Sequence, residues 1–461
     1  MPRRSERRVR RRAVLQAYLR FRRPPTTRQK LEQLQAMLLR RQLARVVRRS
    51  PFYRALFPDR VPRLEELPIL DKASAMGGFD RINTRGLRFD EVFAAAQAAE
   101  ERRHFASSLA GYTVGLSSGT SGHRGVFVAD EAERAIFAGA MLARLLPSPL
   151  LWPRTDRVAL FLRANSRLYE SVRSTRLQFH YFDLLDELPI HHARLRALSP
   201  TLVFAPPSVL RQLARDWSEA LRPMRVYAVA EVLDPVDERA ICRSLGLPQL
   251  HQVYQATEGH LGQTCHRGRL HLNEDLMLVE REWVDRKTRR FRPVITDFYR
   301  ITQPVIRYRL DDVLVESATP CPCGSPLTAL DRIEGRDDEV LYFRRRNGAG
   351  LRPMYSDFLR RAVLTAVPSC DGYGIRQRSP ELVELFVAGA PLGRIQAKLI
   401  ETIEHQGCVP PVFTPVERWE PAPGQKLRRI VRAFDPDRAA DPDRAADPNR
   451  PADPNRPAEP A

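Results

Sequence analysis

Lysine is nearly missing from this chain. Of 75 basic residues in 461, only five are lysine: Lys30, Lys72, Lys287, Lys398 and Lys426. A sequence with that bias keeps a compact ammonium where a broad guanidinium fork does not serve. This singles out Lys426, which sits in the Pro- and Gly-flexed stretch PAPGQKLRRI at 421–430. Cysteine is scarce as well. Six cysteines in so long a chain do not make a disulfide scaffold, and a reducing cytoplasm is the expected setting. No run of about 18 apolar residues is present, so no transmembrane helix is expected. The basic N-terminal segment has neither the apolar stretch nor the small-residue cleavage site of a secretory leader. The Walker A phosphate pattern is also absent.

What is present fits a globular protein of two or three domains, with 43% hydrophobic residues. The net charge of +20 is unevenly spread: residues 1–49 carry 17 basic and two acidic side chains. Residues 1–25 read as a loose, disordered basic arm. Contact with nucleic acid or an anionic surface would be its functional use. Without aromatic interleaving or a nucleic-acid module, a solvated segment is the expectation. Helical periodicity then runs through 27–48.

The middle of the chain alternates β-rich runs with amphipathic helices. RVALFLRA (157–164), TLVFAP (201–206), RVYAVAE (225–231) and LHQVYQATEG (250–259) read as strands, with helices from Ser208 and over 235–245. This rhythm predicts an α/β fold with largely parallel strands. Residues 340–433 change to a strand–helix–strand rhythm, expected as a small C-terminal α+β domain. The hexapeptide repeat from 434 to 461 has proline in every unit and little to bury, so it reads as a disordered tail. The expected division is 1–25 arm, 26–335 large layered α/β domain, 336–433 mobile C-terminal domain and 434–461 tail.

Several stretches suggest a role on their own terms. In GLSSGTSGHRGVF, Ser117, Ser118, Thr120 and Ser121 surround Gly119 and Gly122. Glycines allow tight turns that aim backbone N–H groups at an anion, and hydroxyls add donors. VYQATEG leaves a strand end, where open α/β sheets bind ligands. Tyr254 is suited to stack on a base, Thr257 to donate to a phosphate and Glu258 to hold Mg²⁺. In PVIRYRLDDV, Asp312 is suited to accept from vicinal ribose hydroxyls, with Arg307 and Arg309 offsetting its charge. Cys321 and Cys323, with Cys265 and either His266 or His271, supply the ligand types of a Cys₃His structural zinc site. For RIEGRDDEV, Gly335 lies where the two rhythms meet, as an interdomain hinge would.

In this order and spacing the pieces resemble the adenylate-forming superfamily of acyl-CoA synthetases. The match is closest to its phenylacetate-CoA ligase branch, with the coenzyme F (deazaflavin)-adenylating and CapK-type relatives. The resemblance covers roughly residues 27–433 and includes SPFYR, LPILDK and NTRGL near the N-terminus. It implies a large N-terminal adenylation domain and ATP, AMP and Mg²⁺ as cofactors. It places Ser117–Gly122 around phosphates, Glu231 of AVAE near adenine, and Arg336, Asp338 and Glu339 at the nucleotide side and hinge. It gives Lys426, Thr257 and Glu258 the catalytic roles.

The implied reaction adenylates a carboxylic acid and passes the acyl group to a thiol, of CoA or a carrier protein. The aromatic stretches 177–185 and 204–208 suggest an aryl or medium apolar acid. Transfer of AMP to a phenolic hydroxyl, or a catalytically inactive nucleotide-binding protein, are the alternatives. One departure stands out. Many superfamily phosphate loops end in Pro-Lys, whereas this one continues His123-Arg124-Gly125, which makes Arg124 the expected substitute cation.

Overall fold

The computed structural model describes residues 4–103, 108–117, 124–147, 155–162, 177–184, 186, 188–218, 221, 223–336, 339–348, 350–367, 370, 372–419, 428–436 and 439, with the main chain alone at 4–10, 108, 236 and 357. The described chain divides into two compact units. In sequence the first runs to Arg332 and the second starts at Ile333, with Asp311–Val313 counted in the second.

The expected loose arm is instead a helix, Arg4–Phe21. Its apolar residues explain the correction. Val14, Ala17, Tyr18 and Phe21 recur at helical spacing and are buried, in a helix that packs on Glu131–Leu145. Gly139 permits the close approach, since a Cβ there would lie 2.4 Å from that of Ala17. Arg22 donates to the Ala143 carbonyl at 3.0 Å. Burial of a large apolar side chain contributes about 1.5–3 kcal/mol, whereas like-charge helix neighbours cost only a few tenths each. The stripe therefore outweighs the charge. The next helix, Arg28–Arg49, begins at Thr27, whose side chain accepts from the Lys30 N–H, and it buries Leu31, Leu38, Val46 and Val47.

The first unit is built on one large sheet. Five parallel strands lie in the order Leu177–Asp183, Asp156–Leu162, Leu202–Ala205, Arg225–Val229, His251–Ala256. Their near-continuous apolar character follows from cover on both faces: all four residues of LVFA are buried. Helices Pro207–Asp216 and Pro235–Leu245 follow two of these strands. The last parallel strand then folds back as a hairpin into Gly259–Thr264, which pairs with Leu270–Leu272. This reversal places a turn at the carboxyl end of the parallel strands, where such sheets bind ligands.

The second unit has a four-stranded sheet in the order Val412–Pro415, Leu382–Ala388, Gly372–Ser379, Ile430–Arg432. Its core takes Leu359 and Val363 from helix Ser356–Ala366, and Ile395, Leu399 and Ile403 from helix Leu392–His405. The chain is thus a large α/β unit followed by a smaller α+β unit. Most of the expected tail, 434–461, lies outside the described residues. Among the described residues, no helix is long and apolar enough to cross a membrane.

Candidate functional site

Thr257 and Glu258 form the two-residue apex of the hairpin, between the paired residues Ala256 and Gly259. A register shift between Tyr254 and Gln255 bends the strand just before the turn, and such bulges re-aim side chains. The Thr257 hydroxyl donates to Glu258 Oε2 at 2.9 Å. Arg300 fixes the turn from behind, its Nη1 donating to the Thr257 carbonyl at 3.2 Å. Its Nη2 reaches the Val128 carbonyl at 3.3 Å and Gln303 Oε1 at 3.2 Å. Gln303 in turn accepts from Val128 N at 2.9 Å and donates to the Val126 carbonyl at 3.0 Å.

The glycine- and hydroxyl-rich loop connects strands Tyr112–Leu116 and Val126–Ala129, which pair up to Leu116 and Val126. Ser117 closes its neck. Ser117 N donates to the Gly125 carbonyl at 2.8 Å, and the Ser117 hydroxyl accepts from Gly125 N at 2.8 Å. Ser117 is buried, so it holds the loop in place. Ser118, Gly119, Thr120, Ser121 and Gly122 lie outside the described residues. The neck and the hairpin turn line one cleft, with Ser117, Gly125, Thr257, Glu258, Arg300 and Lys72 among its walls.

Other expected residues are placed differently. Arg124 faces Glu100, with 2.6 Å between Nη2 and Oε2, and its Nε donates to the Ser117 carbonyl. Arg124 is not among the residues lining that cleft. Tyr254 is only 7% exposed, which leaves little ring face for a base. Glu231 accepts from Ser208 N at 3.2 Å, at the start of helix Pro207–Asp216. The preceding Ala230 holds φ 68°, a region that residues with a Cβ seldom enter. Such strain gathers at functional turns.

Arg307 pairs with Glu280 at 2.8 Å, and Arg309 lies 3.5 Å from Glu282 and 3.7 Å from Asp71. Asp312 opens strand Asp312–Glu316. The expected aromatic pocket wall is partly core: Phe182 stacks on Phe161 at 4.7 Å, and Phe204 on Tyr227 at 4.4 Å.

In the second unit Arg336 ends strand Ala329–Arg336. Glu339 is buried, 3.2 Å from Arg360 and 3.7 Å from Arg428. Asp338 and Lys426 lie outside the described residues.

The cysteine and histidine positions converge. One ligand atom from each of Cys265, His271, Cys321 and Cys323 lies within 4.8 Å of every other. Cys265 Sγ and Cys321 Sγ are 3.7 Å apart, and Cys323 Sγ is 3.5 Å from His271 Nε2. A tetrahedral zinc with sulfur ligands at about 2.3 Å requires edges of roughly 3.8 Å. The set therefore fits that ion, and His271 is the histidine in place; His266 is exposed. His271 Nδ1 pairs with the Leu327 carbonyl at 3.0 Å, which turns Nε2 toward the sulfurs. Burial lowers the His271 pKa, favouring the neutral imidazole that binds metals. Backbone N–H groups of Arg267 and Ser325 approach Cys265 and Cys323 sulfur at 3.3 and 3.4 Å.

No protein-family description matches the sequence, and no curated relative does. Solved structures do match. A 2-hydroxyisobutyryl-CoA ligase in the postadenylation state, in complex with 2-HIB-AMP, aligns over 87% of this chain and 88% of its own with 16% identity and a TM-score of 0.61. An open conformation of that ligase, with 2-HIB-AMP and CoA, aligns over 86% and 90% with 16% identity and a TM-score of 0.53. The acyl acid amido synthetase GH3.15 aligns over 85% and 87% with 14% identity and a TM-score of 0.55. The chain shares the fold of these enzymes, including the smaller C-terminal unit.

Proposed function

We propose that this chain is an ATP-dependent adenylating enzyme that activates a carboxylic acid and passes the acyl group to a thiol, that of CoA or a carrier protein. The observation that carries the reading is the convergence of the phosphate-loop neck, at Ser117 and Gly125, with the Thr257–Glu258 turn on one cleft. The shared fold supports it, because the neighbouring ligase was solved with an acyl-adenylate and CoA.

A carboxylate is a poor electrophile, and AMP is a good leaving group, so activation precedes transfer. The protein contributes positioning and charge stabilisation. Glu258 offers a hard oxygen for Mg²⁺, which supplies positive charge beside the phosphates. Thr257 holds that carboxylate and presents a hydroxyl to the same space. Asp312 is assigned to the ribose, Arg336 to the nucleotide, Glu231 to adenine and Lys426 to the reacting carboxylate and α-phosphate. The second unit turns about 335–339 to exchange adenylation for thiolation. The Cys/His cluster is assigned one structural zinc, since four protein ligands leave no open position for catalysis.

Pyrophosphate release, screened over aryl and short or medium apolar acids with and without CoA, tests the reading. An acid-dependent signal and a thioester product are expected. Lys426→Ala should lower that signal roughly a hundredfold to a thousandfold, the usual cost of one preorganised donor. AMP retained on the final product would replace the thiol acceptor with a hydroxyl. Wild-type release rates in Lys426→Ala would remove Lys426 from the mechanism.

A further inference from the structure

We infer that the two N-terminal helices form a docking surface for an anionic lipid membrane, met by their outward arginines through charge and by the outward leucines of the first helix through insertion. The inference goes beyond the adenylation reading and does not depend on it.

These arginines are set apart by their lack of acids. Other exposed arginines of the chain pair: Arg60 with Glu66 at 2.6 Å, Arg346 with Glu404 at 2.7 Å and Arg378 with Glu384 at 2.7 Å. Arg11, Arg12 and Arg23 lie in or just after helix Arg4–Phe21, and Arg41, Arg45 and Arg49 run along helix Arg28–Arg49. All six are exposed and make no ion pair among the described residues. Each helix contains a single acid, Glu6 or Glu32, and Glu32 is taken by Arg28 at 3.0 Å. Arg41, Arg45 and Arg49 follow at four-residue steps, so like charges stand side by side on one helix face. Partial burial, and then the neighbouring Arg41 and Arg49 charges, lower the Arg45 pKa. Crowding of this kind is unfavourable in the free protein and is relieved by an anionic partner.

Apolar side chains lie among the charges. Leu15 and Leu19 are 38% and 54% exposed. Arg12, Leu15 and Leu19 follow at three- and four-residue steps, which places arginine and leucine on one exposed face. A lipid surface takes both, with aliphatic groups at the acyl boundary and guanidinium groups at the phosphates. A nucleic acid gains nothing from exposed leucines, and the aromatic residues that would stack on bases, Tyr18 and Phe21, are buried.

Both helices are seated in advance on the same segment. Phe21 packs edge-on against Tyr299 with 5.8 Å between ring centroids, and Gln42 donates to the Arg300 carbonyl. Docking therefore orders no new chain, which keeps its entropic cost small.

Co-sedimentation of the full chain with vesicles tests the inference. Phosphatidylcholine vesicles are compared with ones containing about one third phosphatidylglycerol, at ~0.1 M salt. Binding is expected to the anionic vesicles alone and should fall as salt rises. Arg41→Gln combined with Arg45→Gln should weaken it about twentyfold, at about fivefold per charge near such a surface. Leu15→Gln combined with Leu19→Gln keeps the charge and should weaken it about tenfold through lost apolar burial. All four side chains are exposed, so melting temperatures should hold. Pyrophosphate release without vesicles should also hold, because none of the four lines the cleft. No vesicle binding, equal binding to neutral vesicles, or wild-type binding by either double variant would overturn the inference. Tighter retention by a single-stranded RNA or by poly-glutamate than by anionic vesicles would overturn it as well, in favour of that class of partner. Each of these failures leaves the adenylation reading standing.

Discussion

The two candidate sites sit at opposite ends of one strand, and they are held in opposite ways. Gly259–Thr264 starts at the Thr257–Glu258 turn and ends next to Cys265. At roughly 3.4 Å per residue it separates the two ends by about 20 Å. At its start, side chains support the main chain: Arg300 grips the turn's carbonyl, and Thr257 and Glu258 line a cleft. At its end, main chain supports side chains: the Leu327 carbonyl and the Arg267 and Ser325 N–H groups orient three of the four ligand residues, His271, Cys265 and Cys323. An open arrangement suits a ligand that arrives and leaves; a closed one suits an ion that stays. The difference predicts that chemistry and stability separate along this strand.

The largest expected effect tests the open end. Glu258→Gln keeps shape and removes charge, so turnover should fall on the order of a hundredfold, with a right-shifted Mg²⁺ titration. Zinc content and melting temperature should not move. Unchanged turnover and Mg²⁺ dependence would take Glu258 out of the metal site and remove the contrast.

The second effect tests the closed end. Purified protein should carry about one equivalent of zinc, and Cys321→Ser should lose it. The clip joins segments far apart in sequence, so binding energy is folding energy. A loss of a few kcal/mol, at about 2–4 °C each, lowers the melting temperature by roughly 5–10 °C. Pyrophosphate release per folded molecule should be unchanged. Metal-free protein of full stability would break the comparison from this side. Replacing Cys242, Cys370 or Cys408, none of which joins the cluster, should leave metal content as it was.

Legibility in the sequence follows the range of the interaction. The helix 235–245 and the strand at 225 were readable because their signals are local: a proline at the first turn and a β-rich run closed by an acid. The helix over residues 4–21 was misread because dense charge hid a buried stripe at helical spacing, and the partner that covers it lies at 131–145. For zinc, spacing alone left His266 and His271 open. The choice depends on pairing with the neighbouring strand, which turns His271 inward from Leu270–Leu272, whereas His266 lies in the exposed turn before that strand. Lys72 could be read as a rare lysine, but the bridge from Leu70 to Tyr308 that fixes its segment could not be read from either stretch. Arg300 gave no signal at all, being one arginine among many whose role is defined by carbonyls on distant turns.

Arg300 yields the smallest effect and the sharpest test of how the open end is held. Its guanidinium joins the Thr257 carbonyl to the Val128 carbonyl and Gln303, tying the hairpin turn to the strand that leaves the phosphate loop. Its own main chain is fixed from both sides, by Asp297 accepting its N–H at 2.9 Å and by Gln42 donating to its carbonyl. The arginine thus acts through the turn and belongs with the positioning residues. Arg300→Gln retains a donor but cannot span both carbonyls, so the turn should loosen without being lost. A misplacement of this kind costs up to about a hundredfold when it reaches 1 Å, and a partly supported turn should cost nearer tenfold. The loss should fall on kcat, with the ATP KM nearly constant, because the turn orients groups for the reacting state. Arg300→Lys, which keeps charge but not the fork, should resemble Gln more than wild type. Equal loss in KM and kcat, with a lower melting temperature, would make Arg300 a general structural residue and would show that the open end is held by the hairpin alone.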